Sequence, residues 1–280
     1  MNRIGLALLV ACLLLCPGCD TGTVQRLNCI CLIDYSGSLS PETLSLYVRT
    51  ISSDVLRRLG EKDRLVILPI DEGAKTEAVQ LVSQDLAEKQ FLYHSDGYAH
   101  AKDSLRARLL RYADLMEPKI SAQLLREKGL RQDFTYKTDI FAAIEQAAAL
   151  AEQNEQETFW EGTRRFVTGR KRVESTNLLL IFSDMVHETG EVSFAGPEGC
   201  TPGMADSTLL DLQASGQLPD LRGWTVFVNG RTGKSNVAVD NIKRFWVRYF
   251  ELTHARLAAY DYDAGSQIRS FLAKRTAGAG

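Results

Sequence analysis

The sequence predicts an α/β protein with a doubly wound, mostly parallel sheet that is flanked by helices and carries a helical insertion. Short apolar runs, suited to strands buried on both faces, alternate along the chain with segments of helical spacing. Several of these runs are closed by polar residues, and ligands of such sheets bind beyond the C-terminal strand ends. The composition, 280 residues with 45% hydrophobic and 24% charged, is that of a globular domain. The net charge of −2 gives no basic field for nucleic acid.

The first 18 residues are predicted to be a lipoprotein-type signal peptide. Arg3 precedes an apolar run over residues 4–16, which falls short of the roughly 20 residues that a membrane-spanning helix needs. Gly18 before Cys19 resembles the lipobox of bacterial lipoproteins, although leucine is usual where Cys16 stands. The resemblance implies cleavage before Cys19, lipidation of Cys19 and a membrane anchor facing the periplasm, with Asp20 favouring the inner membrane. A plain cleaved signal or an uncleaved anchor is the alternative.

The first half of the mature chain begins with a short tether, residues 19–26, and a buried strand over 27–33. Ser40 and Pro41 then have the order of a helix cap and a first helical residue, and apolar residues follow at helical spacing up to Leu59. A strand is predicted over 64–70, with an edge strand near 78–82. Residues 83–134 are predicted to be a charged helical insertion in which Pro118 marks a break or a new helix start.

The second half continues the alternation, so that residues 27–275 are expected to form one domain. An alanine-rich helix is predicted over 139–151, and the run at 177–182 is the central strand. The remaining elements are a strand over 224–228, an amphipathic helix over 241–253, a strand over 256–260 and a helix over 267–274. Cys29, Cys31 and Cys200 are expected to be buried small hydrophobic residues, with a bond from Cys200 to one of the others as the alternative.

Oxygen-bearing side chains mark three of the predicted element ends. The first strand ends in Asp34, with Ser36 and Ser38 at alternate positions after it. Thr138 precedes the alanine-rich helix, and Asp184 closes the central strand. Carboxylate and hydroxyl oxygens at one edge of a parallel sheet suit Mg²⁺, which prefers six oxygen ligands.

This order of residues resembles the metal-ion-dependent adhesion site of the von Willebrand factor A (vWA) domain, and the resemblance covers nearly the whole mature chain. It implies that Ser36, Ser38 and Thr138 hold Mg²⁺ or Mn²⁺, with Asp34 and Asp184 acting mainly through water and hydrogen bonds. The family's third motif is usually Thr-Asp-Gly, whereas this chain has Ser183, Asp184 and Met185. Tyr35 and His187 are expected to contact a partner.

Together, the lipobox and the vWA resemblances imply an exported, membrane-anchored module that binds a protein partner through the metal within a cell-envelope assembly. An acidic side chain of the partner would complete the metal's coordination. The site is not expected to be catalytic. Two alternatives stay open: a metal-dependent hydrolase with His187 as general base, and a structural envelope protein with a vestigial site in which Asp34 and Asp184 are structural acids.

Overall fold

The computed structural model describes residues 24–36, 39–60, 62–70, 82–85, 101–131, 137–153, 173–189, 192–230, 235–261 and 263–278. A six-stranded sheet forms its centre, in the order β3-β2-β1-β4-β5-β6. All neighbouring strands are parallel except β3, which pairs antiparallel with β2 at the edge. The strands are β1 Val24–Asp34, β2 Arg64–Ile70, β3 Val82–Asp85, β4 Val173–Phe182, β5 Thr225–Asn229 and β6 Arg256–Asp261.

The described helices cover both faces of the sheet, which confirms the predicted doubly wound α/β class. They are α1 Pro41–Arg49, α2 Ala101–Arg131, α3 over residues 140–153, α4 Pro202–Ala214, α5 Asn236–Leu252 and α6 Gly265–Gly278. Helices α1, α2 and α6 pack on one face and α3, α4 and α5 on the other. None of them has both the length and the hydrophobicity needed to cross a membrane.

Several boundaries differ from the prediction. Strand β1 begins at Val24, so the last residues of the predicted tether belong to the sheet. The predicted continuous helix to Leu59 is α1 followed by a π-helical segment, Thr50–Val55, and a 3₁₀ turn, Leu56–Arg58. The edge strand lies at Val82–Asp85, and most of the stretch predicted for it lies outside the described residues.

The predicted charged insertion, residues 83–134, is described only in part. Its helix packs into the core, whereas an exposed helix was predicted. Helix α2 is continuous through Pro118, where a helix break or start was expected. Tyr112, Ala113, Ile120 and Leu124 of this helix are buried in the core on the α1 face of the sheet. Ala113, Ile120 and Leu124 are two turns and one turn apart, and Tyr112 is next to Ala113, so all four lie on one side of α2. Helix α2 is therefore a layer of the fold and not only an exposed addition.

The three described cysteines are free and buried, as predicted. Cys29 and Cys31 lie on the α1 face of the sheet and Cys200 on the opposite face, so the alternative bond to Cys200 is not formed. Burial raises the pKa of the Cys200 thiol to about 12. The thiol is therefore protonated at neutral pH and behaves as a small apolar side chain.

Candidate functional site

The site lies at the point where the order in which strands are added to the sheet reverses. From β1 the chain adds β2 on one side, and the later strand β4 adds on the other side of β1. The carboxyl ends of β1 and β4 therefore flank the topological switch point, the usual ligand position in open α/β sheets. Asp34 ends β1, and Ser183 and Asp184 follow β4.

Asp34 organises the turn after β1. It is 3% exposed, and its Oδ1 accepts a hydrogen bond of 2.8 Å from the backbone N–H of Ser36. Its Oδ2 accepts a hydrogen bond of 2.8 Å from the Ser183 hydroxyl. Both carboxylate oxygens are thus engaged by the chain itself, which suits a residue that orients hydroxyl groups. Burial raises the pKa of Asp34, while the hydrogen bonds from Ser36 and Ser183 and the charge of Lys128 oppose that rise.

In the loop after β4, Met185 has a backbone conformation that is usually found at glycine. The Asp184 carboxylate is partly exposed, and its Oδ1 accepts a hydrogen bond of 3.0 Å from the Val186 N–H. Met185 has φ 62°, in the left-handed region that glycine adopts most easily. Its side chain is fully buried, and its carbonyl accepts a 2.9 Å hydrogen bond from Trp246 Nε1. Packing and this hydrogen bond hold Met185 in a backbone conformation that glycine adopts more easily.

Gly230 sits directly behind Ser183. A Cβ atom at Gly230 would overlap with the carbonyl oxygen of Ser183, so no other residue fits there without moving the backbone. Gly230 and Asp184 also line a cavity of about 90 Å³ on the β5–β6 side of the site. The end of β5 therefore fixes the position of the Ser183–Asp184 segment.

Thr138 reaches the same edge from the start of α3. It is 5% exposed, and its carbonyl accepts a hydrogen bond of 2.9 Å from the backbone N–H of Glu188. Asp139 caps α3, with its Oδ1 accepting from the N–H of Ala142 at 3.0 Å. The residue predicted to ligate the metal from the helix start therefore lies against the loop that follows Asp184.

The two residues predicted to touch a partner are buried. Tyr35 is fully buried on the α1 face, two residues after Ile33 and on the same side of the strand. His187 is 1% exposed, and its Nδ1 accepts a 3.2 Å hydrogen bond from the N–H of Ile140. The rings of Phe141 and Phe194 pack beside it, with centroid separations of 4.1 and 5.7 Å. Both side chains therefore lie inside the fold rather than at its surface.

The donor set at this edge suits a hard divalent cation. Within the described ranges, no group of three or more histidine, cysteine, aspartate or glutamate side chains is placed to hold a metal ion. A metal here would depend on hydroxyl oxygens, from Ser36 and Thr138, with Asp34 and Asp184 supplying negative charge. Oxygen-only sites of this kind suit Mg²⁺ and Mn²⁺. Ser38 and the predicted lipidation site Cys19 lie outside the described residues.

Lys128 is a site residue that the sequence analysis did not identify. It lies near the end of α2, and its Nζ donates a 2.9 Å hydrogen bond to the carbonyl oxygen of Ser36. The contact joins residues 92 positions apart, and α2 carries many other charged side chains, so no local pattern pointed to this lysine.

The fold and the site together define a doubly wound α/β protein whose hydroxyl and carboxylate side chains meet at the switch point of its sheet. No protein-family model and no curated protein matches the sequence. Similar solved structures include the N-terminal domain of TFIIH p34, at 11% identity and TM-score 0.40, covering 91% of this chain and 98% of that one.

Two further similar structures are of a bacterial and of a Plasmodium protein. An aerotolerance-related membrane protein of Bacteroides fragilis shares 15% identity at TM-score 0.32, with coverage of 90% of this chain and 99% of that one. A manganese-loaded TRAP protein of Plasmodium vivax shares 10% identity at TM-score 0.32, with coverage of 88% and 73%. These values assign neither a family nor a function, so the proposal below depends on the chain's own residues.

Proposed function

We propose that the protein is an exported, membrane-anchored vWA-type module that binds a protein partner through Mg²⁺ or Mn²⁺ within a cell-envelope assembly. The observation that carries the proposal is the hydrogen bond between Ser183 and Asp34, which joins the turn after β1 to the end of β4 beside Asp184. With Thr138 against the following loop, the three motifs meet at one sheet edge.

The chain's own residues have separate roles in this proposal. Ser36, Ser38 and Thr138 would hold the ion through hydroxyl oxygens. Asp34 would orient the Ser36 turn and supply a negative charge without contacting the ion directly. Because few charged side chains would touch it directly, the ion would keep strong Lewis acidity. It could then accept an acidic side chain of the partner as a further ligand, which is the adhesive role proposed for the site.

Metal binding is the first expected result. At 100 times its dissociation constant, Mg²⁺ or Mn²⁺ should raise the free energy of unfolding by about 2.7 kcal/mol. Ser36→Ala and Asp184→Ala should lose this gain, whereas Ser45→Ala, an exposed serine-to-alanine change on α1, should keep it. Urea unfolding with and without each ion measures the effect.

The same variants test adhesion. Crosslinking in intact envelopes, followed by identification of the attached protein, should give a partner that is lost on chelation and lost in Ser36→Ala and Asp184→Ala. Capture that is equal in the wild type, in both variants and after chelation would refute a metal-dependent contact. A wild type that shows no stability gain at millimolar ion would refute metal binding itself.

Membrane anchoring is tested separately at Cys19. The wild-type protein should fractionate with membranes and carry a lipid at Cys19, and Cys19→Ser should lose both properties. Cys12→Ser changes a cysteine within the predicted signal peptide and should alter neither. Membrane fractionation with mass spectrometry of the mature N-terminus is the measurement, and a Cys19→Ser protein that stays in the membrane fraction would contradict the lipoprotein assignment.

A further inference from the structure

Helix α2 places the ammonium group of Lys128 on the turn that carries Ser36. The Lys128 Nζ is 2.9 Å from the Ser36 carbonyl oxygen, which also accepts a 3.1 Å hydrogen bond from the Leu39 N–H. Lys128 is half-buried, and the Asp34 carboxylate on the same turn is 3% exposed. A positive side chain therefore lies on the same turn as a buried negative one.

The charges of these two residues act on each other. The Lys128 ammonium lies on the Ser36 carbonyl, and the N–H of the same residue donates to Asp34 Oδ1. A buried carboxylate without a compensating cation is costly. Lys128 therefore supplies, in the metal-free protein, part of the positive charge that a bound divalent ion would otherwise supply.

The lysine is held in place by the packing of its helix. Arg57 forms ion pairs of 2.9 Å with Glu117 and 2.7 Å with Asp114 of α2, and Ser53 donates a 2.9 Å hydrogen bond to Glu117. Buried residues of α2 on the same side pack the helix against α1 and the π-helical and 3₁₀ segments that follow it. The ammonium is thus set on the Ser36 turn by the fold and not by a freely moving surface side chain.

We propose that Lys128 is the built-in counter-cation of Asp34 and that it lowers the affinity of this edge for a divalent metal. The inference rests on the proposed metal-binding function and adds how that site is regulated. An ammonium on the Ser36 carbonyl and a metal on the Ser36 hydroxyl would contact the same residue, and like charges at such separations repel. A partner that draws the Lys128 side chain away from the Ser36 carbonyl would strengthen metal binding at the moment of adhesion.

The test compares Lys128→Met with the wild type by titration calorimetry and urea unfolding, using Mg²⁺ and Mn²⁺ alone as probes. Lys128→Met should lower the metal dissociation constant on the order of tenfold, since removing one unit charge near the ion changes its binding by that order. Without metal, the same variant should be less stable than the wild type, because Asp34 loses its counter-charge. Lys119→Met, an exposed lysine on the same helix, should change neither quantity, and Lys128→Arg, which keeps the charge, should stay near the wild type.

The outcomes separate this inference from the proposed function. If the wild type and Lys128→Met bind metal equally, Lys128 is no competitor, and the metal site itself stands. If Lys128→Met binds metal more weakly, the lysine positions the Ser36 turn and the inference is overturned. If none of the variants binds either ion, both the inference and the metal-dependent function are wrong.

Discussion

Replacing Asp63 with alanine is expected to lower the free energy of unfolding by about 3–5 kcal/mol, the usual loss when one partner of a buried ion pair is removed. Asp63 is 2% exposed and lies between the 3₁₀ turn and β2. Its two carboxylate oxygens accept hydrogen bonds from both terminal nitrogens of Arg275, at 2.6 and 2.7 Å, and from the backbone N–H groups of Leu27 and Gly60, at 2.8 and 2.6 Å.

The size of the effect follows from what these bonds connect. Arg275 belongs to α6, Leu27 to β1 and Gly60 to the connection before β2, so one carboxylate ties the last helix to the start of the sheet. Alanine at position 63 leaves the Arg275 guanidinium and two N–H groups without this acceptor. Urea unfolding of Asp63→Ala, Arg275→Met and the double variant gives the coupling energy of the pair.

An exposed ion pair provides the matched control. Asp206 and Arg248 also lie within ion-pair distance, at 2.5 Å, but their side chains are 59% and 50% exposed. Asp206→Ala should therefore change the free energy of unfolding by less than about 1 kcal/mol. If Asp63→Ala and Asp206→Ala have the same effect, burial does not determine the strength of these pairs and the Asp63 assignment is wrong.

The positions of most strands along the chain, and the sheet edge at which polar residues follow them, were predictable because both depend on local patterns. The apolar runs at 27–33, 64–70 and 177–182 are strands of the sheet, and Asp34 and Ser183, which close the first and the last of them, lie at its carboxyl edge. The Ser40–Pro41 cap was also predicted, and Ser40 Oγ accepts a 3.2 Å hydrogen bond from the Thr43 N–H. Thr201–Pro202 repeats this signal at the start of α4, a helix that the sequence analysis did not identify.

The unpredicted features depend on contacts between distant parts of the chain. Tyr35 and His187 stand beside predicted ligands in the sequence, but nearness in sequence does not determine which way a side chain points. Tyr35 continues the buried face of β1, and His187 packs beside the rings of Phe141 and Phe194. Helix α2 continues through Pro118 because buried residues and the Glu117–Arg57 pair hold it on both sides. A proline inside a helix removes one backbone hydrogen bond and crowds the carbonyl four residues earlier, so these contacts are needed to keep the helix continuous.

Replacing Gly230 with alanine is expected to destabilise the protein by about 3 kcal/mol, the upper part of the usual range for overpacking, because the obstructing atom is backbone. The added Cβ would overlap with the carbonyl oxygen of Ser183, which cannot turn aside as the end of a flexible side chain can. Any shift of Ser183 also moves the hydroxyl that donates to Asp34. Gly230→Ala should therefore lose metal-dependent stabilisation as well as stability.

Gly203→Ala is the matched comparison, since nothing lies within 4 Å of a Cβ at that position and Gly203 is in α4. Alanine favours a helix over glycine by about 1 kcal/mol, so this variant should be as stable as the wild type or slightly more stable. Urea unfolding of both variants, with and without Mn²⁺, separates a steric effect from a general cost of losing glycine. If Gly230→Ala keeps both its stability and its response to Mn²⁺, then the end of β5 does not hold the Ser183–Asp184 segment. In that case the link between fold and site would depend on Asp34 and Thr138 alone.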